Sequence, residues 1–301
     1  GGPPMFTTLV AVIVALALGH VLPAQVVRLR RFEWFAQWLR RLDSYAAGRG
    51  AWQGRYGVLL ALLPALAVVL LLQWLLDDVW QGFLALLFGV AVLAWTWGPR
   101  DLDRDVEAVI DADEPALRRE AISHLQAAGG SVHEDAPSLV EAVVVNGLRR
   151  WFAVLWWFLL LGPFGAVLYR LTALAVESPV SVLLPPRNLA GARWLLAALE
   201  WPVAQLMTVS MALVGNFDTV FRAWREAHGN RWSLEPHFLG AVARASVSAE
   251  LREEAHDYTD SGLVPVWRRL PEVRDAMSLV WRVLLLWMVM LALLVIAGWV
   301  R

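Results

Sequence analysis

Cysteine is absent from this 301-residue chain, and so is lysine: all 26 basic residues are arginine. The first absence excludes disulfides, thiolate metal sites and thiol nucleophiles, and leaves the redox compartment undetermined. The second excludes a P-loop lysine and a Schiff-base lysine. A GC-rich coding sequence, which favours arginine codons, is its simplest cause. What the chain has instead is apolar surface, with 58% hydrophobic residues and 18 Trp. That composition lies outside the soluble range and marks an integral membrane protein.

Apolar runs long enough to cross a bilayer are read at 5–22, 56–76, 79–97, 151–176 and 279–300. A further run at 194–214 has the length but contains Glu200, Pro202 and Gln205. One carboxylate at mid-membrane costs about 2.5 to 3.5 kcal/mol, so this segment is read as tilted, broken or partly interfacial. The expected fold class is all-α: one polytopic membrane domain of about six spans over 1–301. Gly1 to Pro4 read as a scar before a start at Met5, and the first run reads as a retained anchor because no basic region or small-residue cleavage site accompanies it.

Arginine placement sets the expected orientation. Seven arginines fall in the 25–55 loop, six in 98–150 and eight in 215–278, whereas the Asp77-Asp78 turn has none. The positive-inside rule then puts 23–55, 98–150 and 215–278 in the cytoplasm and the amino terminus outside. Within the first loop Phe32, Trp34, Phe35, Trp38, Leu39 and Leu42 interleave with Arg30, Arg31, Arg40 and Arg41 at helical spacing. Beside membrane spans this reads as an interfacial amphipathic helix and not as a nucleic-acid surface. No internal repeat is found, which counts against an inverted-repeat transporter.

Several groups are candidates for chemistry. The stretch from Glu141 to Arg170 joins a polar approach to an apolar run broken at Gly162, Pro163 and Gly165. A break of this kind must face protein or a cavity, because lipid cannot satisfy the freed backbone. Glu141, Asn146, Tyr169, Arg170 and Glu200 are the candidate ligand-binding residues, with Glu200 favoured as an acid inside an apolar run. Asp101 and Asp105, at i and i+4, could share a magnesium ion with substrate phosphates, although a solvated charged helix is the better reading. Glu253, Glu254, His256 and Asp257 resemble half of a bundle metal site, His133-Glu134-Asp135 reads as a helix cap, and His20 sits at the end of a span.

Read together, Gly98-Pro99-Arg100-Asp101-Leu102, Glu141 with Asn146, the Gly-Pro-x-Gly-Ala-x-x-Tyr-Arg of 162–170, and Glu200-Trp201-Pro202-x-Ala204 resemble the AmpE family over nearly the whole chain. That resemblance implies a bacterial inner-membrane protein associated with β-lactamase induction, and a relationship to the cobalamin-pathway synthase that makes adenosylcobinamide phosphate. The synthase joins a carboxylate to an amine using ATP and magnesium. At the positions of its second and third acids this chain has Val145 and Arg149, and Thr172-Ala173-Leu174-Ala175 replaces its Asn-Thr-Leu-Asp. Neither Val nor Arg can hold a cation, so these losses point away from catalysis.

The expectation is a non-catalytic membrane regulator or sensor of AmpE type, with no catalytic residues and no cofactor. Its partners would be the bilayer and a cell-wall fragment or a protein, and no nucleic acid. Two alternatives stand beside it. One is an enzyme of the synthase kind using magnesium and ATP, and the other is a small-molecule transporter.

Overall fold

A computed structural model describes residues 5–21, 32–76, 83–97, 101–126, 132–177, 180–265 and 267–297, with side chains of the first helix described at 8–16. The Asp77-Asp78 turn, Gly98-Pro99, Gly129-Gly130, Arg28, Arg30, Arg31 and the His20 side chain fall outside these residues. Every regular element among the described residues is helical. In chain order the α-helices are α1 (Met5–Val21), α2 (Glu33–Ala46), α3 (Gly50–Gln53), α4 (Gly57–Leu76), α5 (Phe83–Thr96), α6 (Leu102–Asp111), α7 (Pro115–Ser123), α8 (Ala136–Gly147), α9 (Ala153–Leu161), α10 (Pro163–Val176), α11 (Pro186–Val214), α12 (Phe217–Glu226), α13 (His237–Ser261) and α14 (Pro271–Ile296). A π-helical segment, Leu148–Phe152, joins α8 to α9.

Among the described residues, four continuous helices have the length and apolarity to cross a bilayer: Gly57–Leu76, Ala136–Leu161, Pro186–Val214 and Pro271–Ile296. Phe83–Thr96 and Pro163–Val176 are apolar but shorter. The chain is thus an all-helical, multi-pass membrane protein in contact with lipid. Helix α4 shows why such a segment suits a bilayer. Leu59, Leu63, Val68, Leu71 and Trp74 are all exposed, a face that water would penalise and that hydrocarbon accepts.

The chain divides into two compact units. Unit one comprises Gly1–Arg100, Arg149–Leu199 and Met290–Arg301. In it α1 packs on α5, and α10 packs on α4 and α5. Gly89 of α5 lies at this packing junction, where a Cβ would make ordinary van der Waals contact with the Phe158 ring at 3.4 Å and Ala11 at 3.9 Å. Pro64 lies within α4, and Trp38 of α2 donates its indole N–H to the nearby Ala61 carbonyl at 3.0 Å.

Unit two comprises Asp101–Leu148 and Glu200–Val289. Here α13 packs against α8 and α12. Polar clasps fix the remaining helices. Arg282 donates to both carboxylate oxygens of Glu250 at 2.7 Å and to the Val214 carbonyl, at the end of α11, at 3.3 Å. Trp287 donates to Ser210 at 2.8 Å, Trp281 to Asp103 at 3.1 Å, and Trp224 to Gln205 at 2.9 Å.

The 151–176 run does not form one kinked rod. Arg170 Nη2 donates to the Arg149 carbonyl at 3.0 Å across 21 positions of sequence, which requires α9 and α10 to fold back on each other as a helical hairpin. A straight helix would separate those residues by about 30 Å. The run at 194–214 begins earlier, at Pro186, and that at 279–300 begins at Pro271. The amphipathic helix expected in the first loop is present as α2, with Phe35 and Leu39 fully buried.

Candidate functional site

The Gly162-Pro163 break lies at the tip of the α9–α10 hairpin. Gly162 takes φ 69° and ψ −154°, a conformation essentially restricted to glycine. Its N–H closes the end of α9 on the Phe158 carbonyl at 2.8 Å, and Pro163 opens α10, where a missing N–H costs nothing. Two backbone groups around the tip are met by one side chain. Gln73, in the last turn of α4, donates to the Leu161 carbonyl at 3.4 Å and accepts from the Phe164 N–H at 3.2 Å. Gly165 has to lack a side chain because a Cβ there would sit 2.1 Å from the Trp157 carbonyl oxygen. The break therefore faces protein, and Gln73 supplies what lipid cannot.

Tyr169 and Arg170 lie further along α10, both buried. The Arg170 guanidinium donates Nε–H to the Thr96 carbonyl at 2.7 Å, besides its bond to Arg149. Thr96 ends α5 and Arg149 lies in the π-helical segment, two places where helix geometry leaves carbonyls without their usual partners. A cation at a helix carboxyl terminus also meets the favourable end of the helix dipole. Arg170, a candidate ligand-binding residue by sequence, is only 2% exposed.

In unit two, Glu141 of α8 accepts from Arg244 Nε of α13 at 2.9 Å. The pair forms where α13 has Gly240, at which a Cβ would come within 2.8 Å of the Glu141 carboxyl carbon. Beside it lies a cavity of about 450 Å³ lined by Ala136, Pro137 and Val140 of α8, Arg244 and Ser248 of α13, and Glu272 of α14. Mostly apolar walls with a few convergent polar groups are the usual make-up of a small-molecule site. Asn146, five residues after Glu141, turns elsewhere: its amide donates to the Leu125 carbonyl at 2.7 Å and to Ala142 at 2.8 Å. Glu200, 2% exposed, also belongs to this unit.

The other acids have identifiable duties. Asp101 caps α6 by accepting from the Asp103 N–H at 3.2 Å, with Arg104 at 3.8 Å, whereas Asp105 is buried. Asp135 caps α8, as its position before Ala136-Pro137 implied, and the hydrogen bond from Ser138 holds its carboxyl below the usual range. Glu254 pairs with Arg268, and His256 lies 3.3 Å from Asp260. Among the described residues no three His, Asp or Glu side chains gather as a metal would require.

Sequence reasoning did not find Gln73, Arg244 or the Glu250–Arg282 pair. Gln73 did have a signal, as a lone amide near the end of a long apolar run. Arg244 had none, because its partner lies 103 positions away in sequence.

No protein-family profile matches the chain, and no solved structure matches it significantly. The chain is similar to a cobalamin biosynthesis protein CobD of Stutzerimonas stutzeri, with 27% identity over 96% of this chain and 97% of that one. It is also similar to a protein of the same name from Chromobacterium violaceum, with 33% identity over 42% of this chain and 43% of the relative. These matches overturn the expected non-catalytic regulator of AmpE type. Both relatives bear a biosynthetic name, one of them matched over 97% of its length, and neither name points to β-lactamase regulation, signalling or cell-wall recycling. The part of the resemblance that holds is the relationship to cobalamin synthesis.

Proposed function

We propose that this chain is an amide-forming enzyme of cobalamin assembly, one that joins a carboxylate to an amine at the expense of ATP. The observation that carries this reading is the similarity to a cobalamin biosynthesis protein along 96% of the chain. In such a reaction a carboxylate oxygen takes the terminal phosphoryl group of ATP and ADP departs. The amine nitrogen then attacks the carbonyl carbon, and phosphate leaves with that oxygen. Catalysis of the phosphoryl step is mostly positioning and charge stabilisation, a task that suits the Arg244 guanidinium in the cavity wall.

The residues present do not fit a resident magnesium ion. Glu141 is paired with Arg244, Glu250 with Arg282 and Glu254 with Arg268, and Asp101 caps a helix. Val145 and Arg149 stand where the synthase pattern has acids. Magnesium therefore belongs to this reading as part of the nucleotide substrate, and no step is routed through a protein-held metal. The cavity beside Glu141 and Arg244 is the substrate site of this proposal. Its polar side chains can orient charged groups while its apolar walls exclude water. Arginine placement supports a cytoplasmic-membrane location with the amino terminus outside.

The test is turnover. Protein in nanodiscs receives Mg-ATP, a corrinoid carboxylate and a short amino alcohol or its phosphate, and amide product is read by mass. Amide formation that needs all three supports the reading. ATP hydrolysis without amide, or no nucleotide turnover at all, rejects it. Glu141→Gln should lower kcat/KM at least tenfold, about 1.4 kcal/mol, with the fold intact by thermal melt.

A further inference from the structure

Helix α2 has two faces with different tasks. Its inner face buries Phe35 and Leu39, while Trp38 donates to Ala61 in the second turn of α4 and Trp34 stacks on Trp95 near the end of α5 at 5.9 Å. Phe32 also reaches the Trp95 ring, at 4.8 Å. Thus α2 crosses the start of one apolar helix and the end of another, the level at which such helices leave hydrocarbon for headgroups. Aromatic rings crowd this level, with Tyr45 83% and Tyr56 72% exposed, as expected of a membrane–water boundary.

The outer face presents Arg40 and Arg41, both exposed, and neither has an ion-pair partner among the described residues. Between Glu33 and Tyr56 four arginines face two acids. Asp43 accepts the Trp52 indole N–H at 2.9 Å, Glu33 lies at the other end of the helix, and Arg55 sits over the Trp194 ring. The uncommitted positive charge is therefore concentrated at Arg40, Arg41 and Arg49, beside exposed aromatic rings. The geometry points to a binding surface for anionic phospholipid headgroups on the outer face of α2, with Arg40 and Arg41 gripping the phosphate. A guanidinium fork matches phosphate oxygens and is weakly hydrated, so it gives up little on contact. Continuity with the apolar helices beneath selects a lipid over a soluble anion.

Native mass spectrometry of the full chain in detergent, titrated with dioctanoyl phosphatidylglycerol and dioctanoyl phosphatidylcholine, tests this. The wild type should retain phosphatidylglycerol preferentially. Arg40→Gln with Arg41→Gln should weaken that binding by about 25-fold, roughly fivefold per arginine, and leave phosphatidylcholine unchanged. Both side chains are exposed, so folding should survive, and a thermal melt checks it. Arg119→Gln, an exposed arginine on α7, should change nothing. Equal retention of the two lipids by the wild type would overturn the proposal. So would undiminished phosphatidylglycerol binding in the double variant, an equal loss in Arg119→Gln, or displacement of the lipid by millimolar inorganic phosphate.

Discussion

A methyl group at Gly162 would meet Gln73 Nε2 at 2.9 Å on a backbone with φ 69°. The amide could shift, but the backbone strain would remain, so Gly162→Ala should destabilise the protein by about 1 to 3 kcal/mol. Gln73→Leu should cost a similar amount, about 1 to 3 kcal/mol, because it orphans one carbonyl and one N–H at the hairpin tip. Thermal midpoints in one detergent, compared with Leu72→Ala on the exposed face of α4, would check both. A second prediction concerns Asp113, whose pKa is held down by the hydrogen bond and charge of Arg269. A depressed folded-state pKa gives stability that is present above the ordinary carboxylate pKa and lost as pH falls through the lowered value. Arg269→Gln should therefore melt below the wild type near neutral pH, with the gap closing in acid. The break at Gly162-Pro163 was legible in the sequence, since Gly-Pro within an apolar run announces one. Gln73 as the partner was not, because 89 residues separate it from Gly162 and only folding brings them together.

Among the elements, α9 and α10 carry the clearest difference between pattern and structure. Hydropathy counts apolar residues and sees one run from Trp151 to Val176, whereas Gly162 past the end of one helix and Pro163 at the start of the next mark a turn. Reversal was decided by Arg170 reaching the carbonyls of Thr96 and Arg149. Arg170→Met should accordingly lower stability by about 3 to 5 kcal/mol or abolish folding, since it leaves buried carbonyls unmet, as yield of folded protein by size-exclusion chromatography would show. The contact of α8 with α13 predicts a different outcome. Gly240→Ala gains about 1 kcal/mol of helix propensity but pushes the Glu141 carboxylate away from Arg244. The melt should barely move while amide-forming activity falls at least tenfold; if activity held, Glu141 would not belong to the site.

For the whole molecule the missing cysteines become an instrument, because any introduced thiol is unique. Tyr45→Cys, exposed on α2, should resist a membrane-impermeant maleimide in intact cells and react after permeabilisation, as the arginine distribution predicts. Labelling of intact cells would reverse the orientation.

Composition and hydropathy were enough to make the chain a helical membrane protein and to place its amphipathic surface helix, because transfer from water to lipid acts on each segment separately. The candidate groups Glu141, Asn146, Arg170 and Glu200 were also visible, as polar residues where an apolar environment makes polarity expensive. Their partners were not. Gln73 at the break, Arg244 on Glu141 and two stray carbonyls on Arg170 are pairings across 91, 103 and 74 or fewer positions. Such pairings depend on which helix faces meet, which no local pattern encodes, so tertiary structure alone decided them.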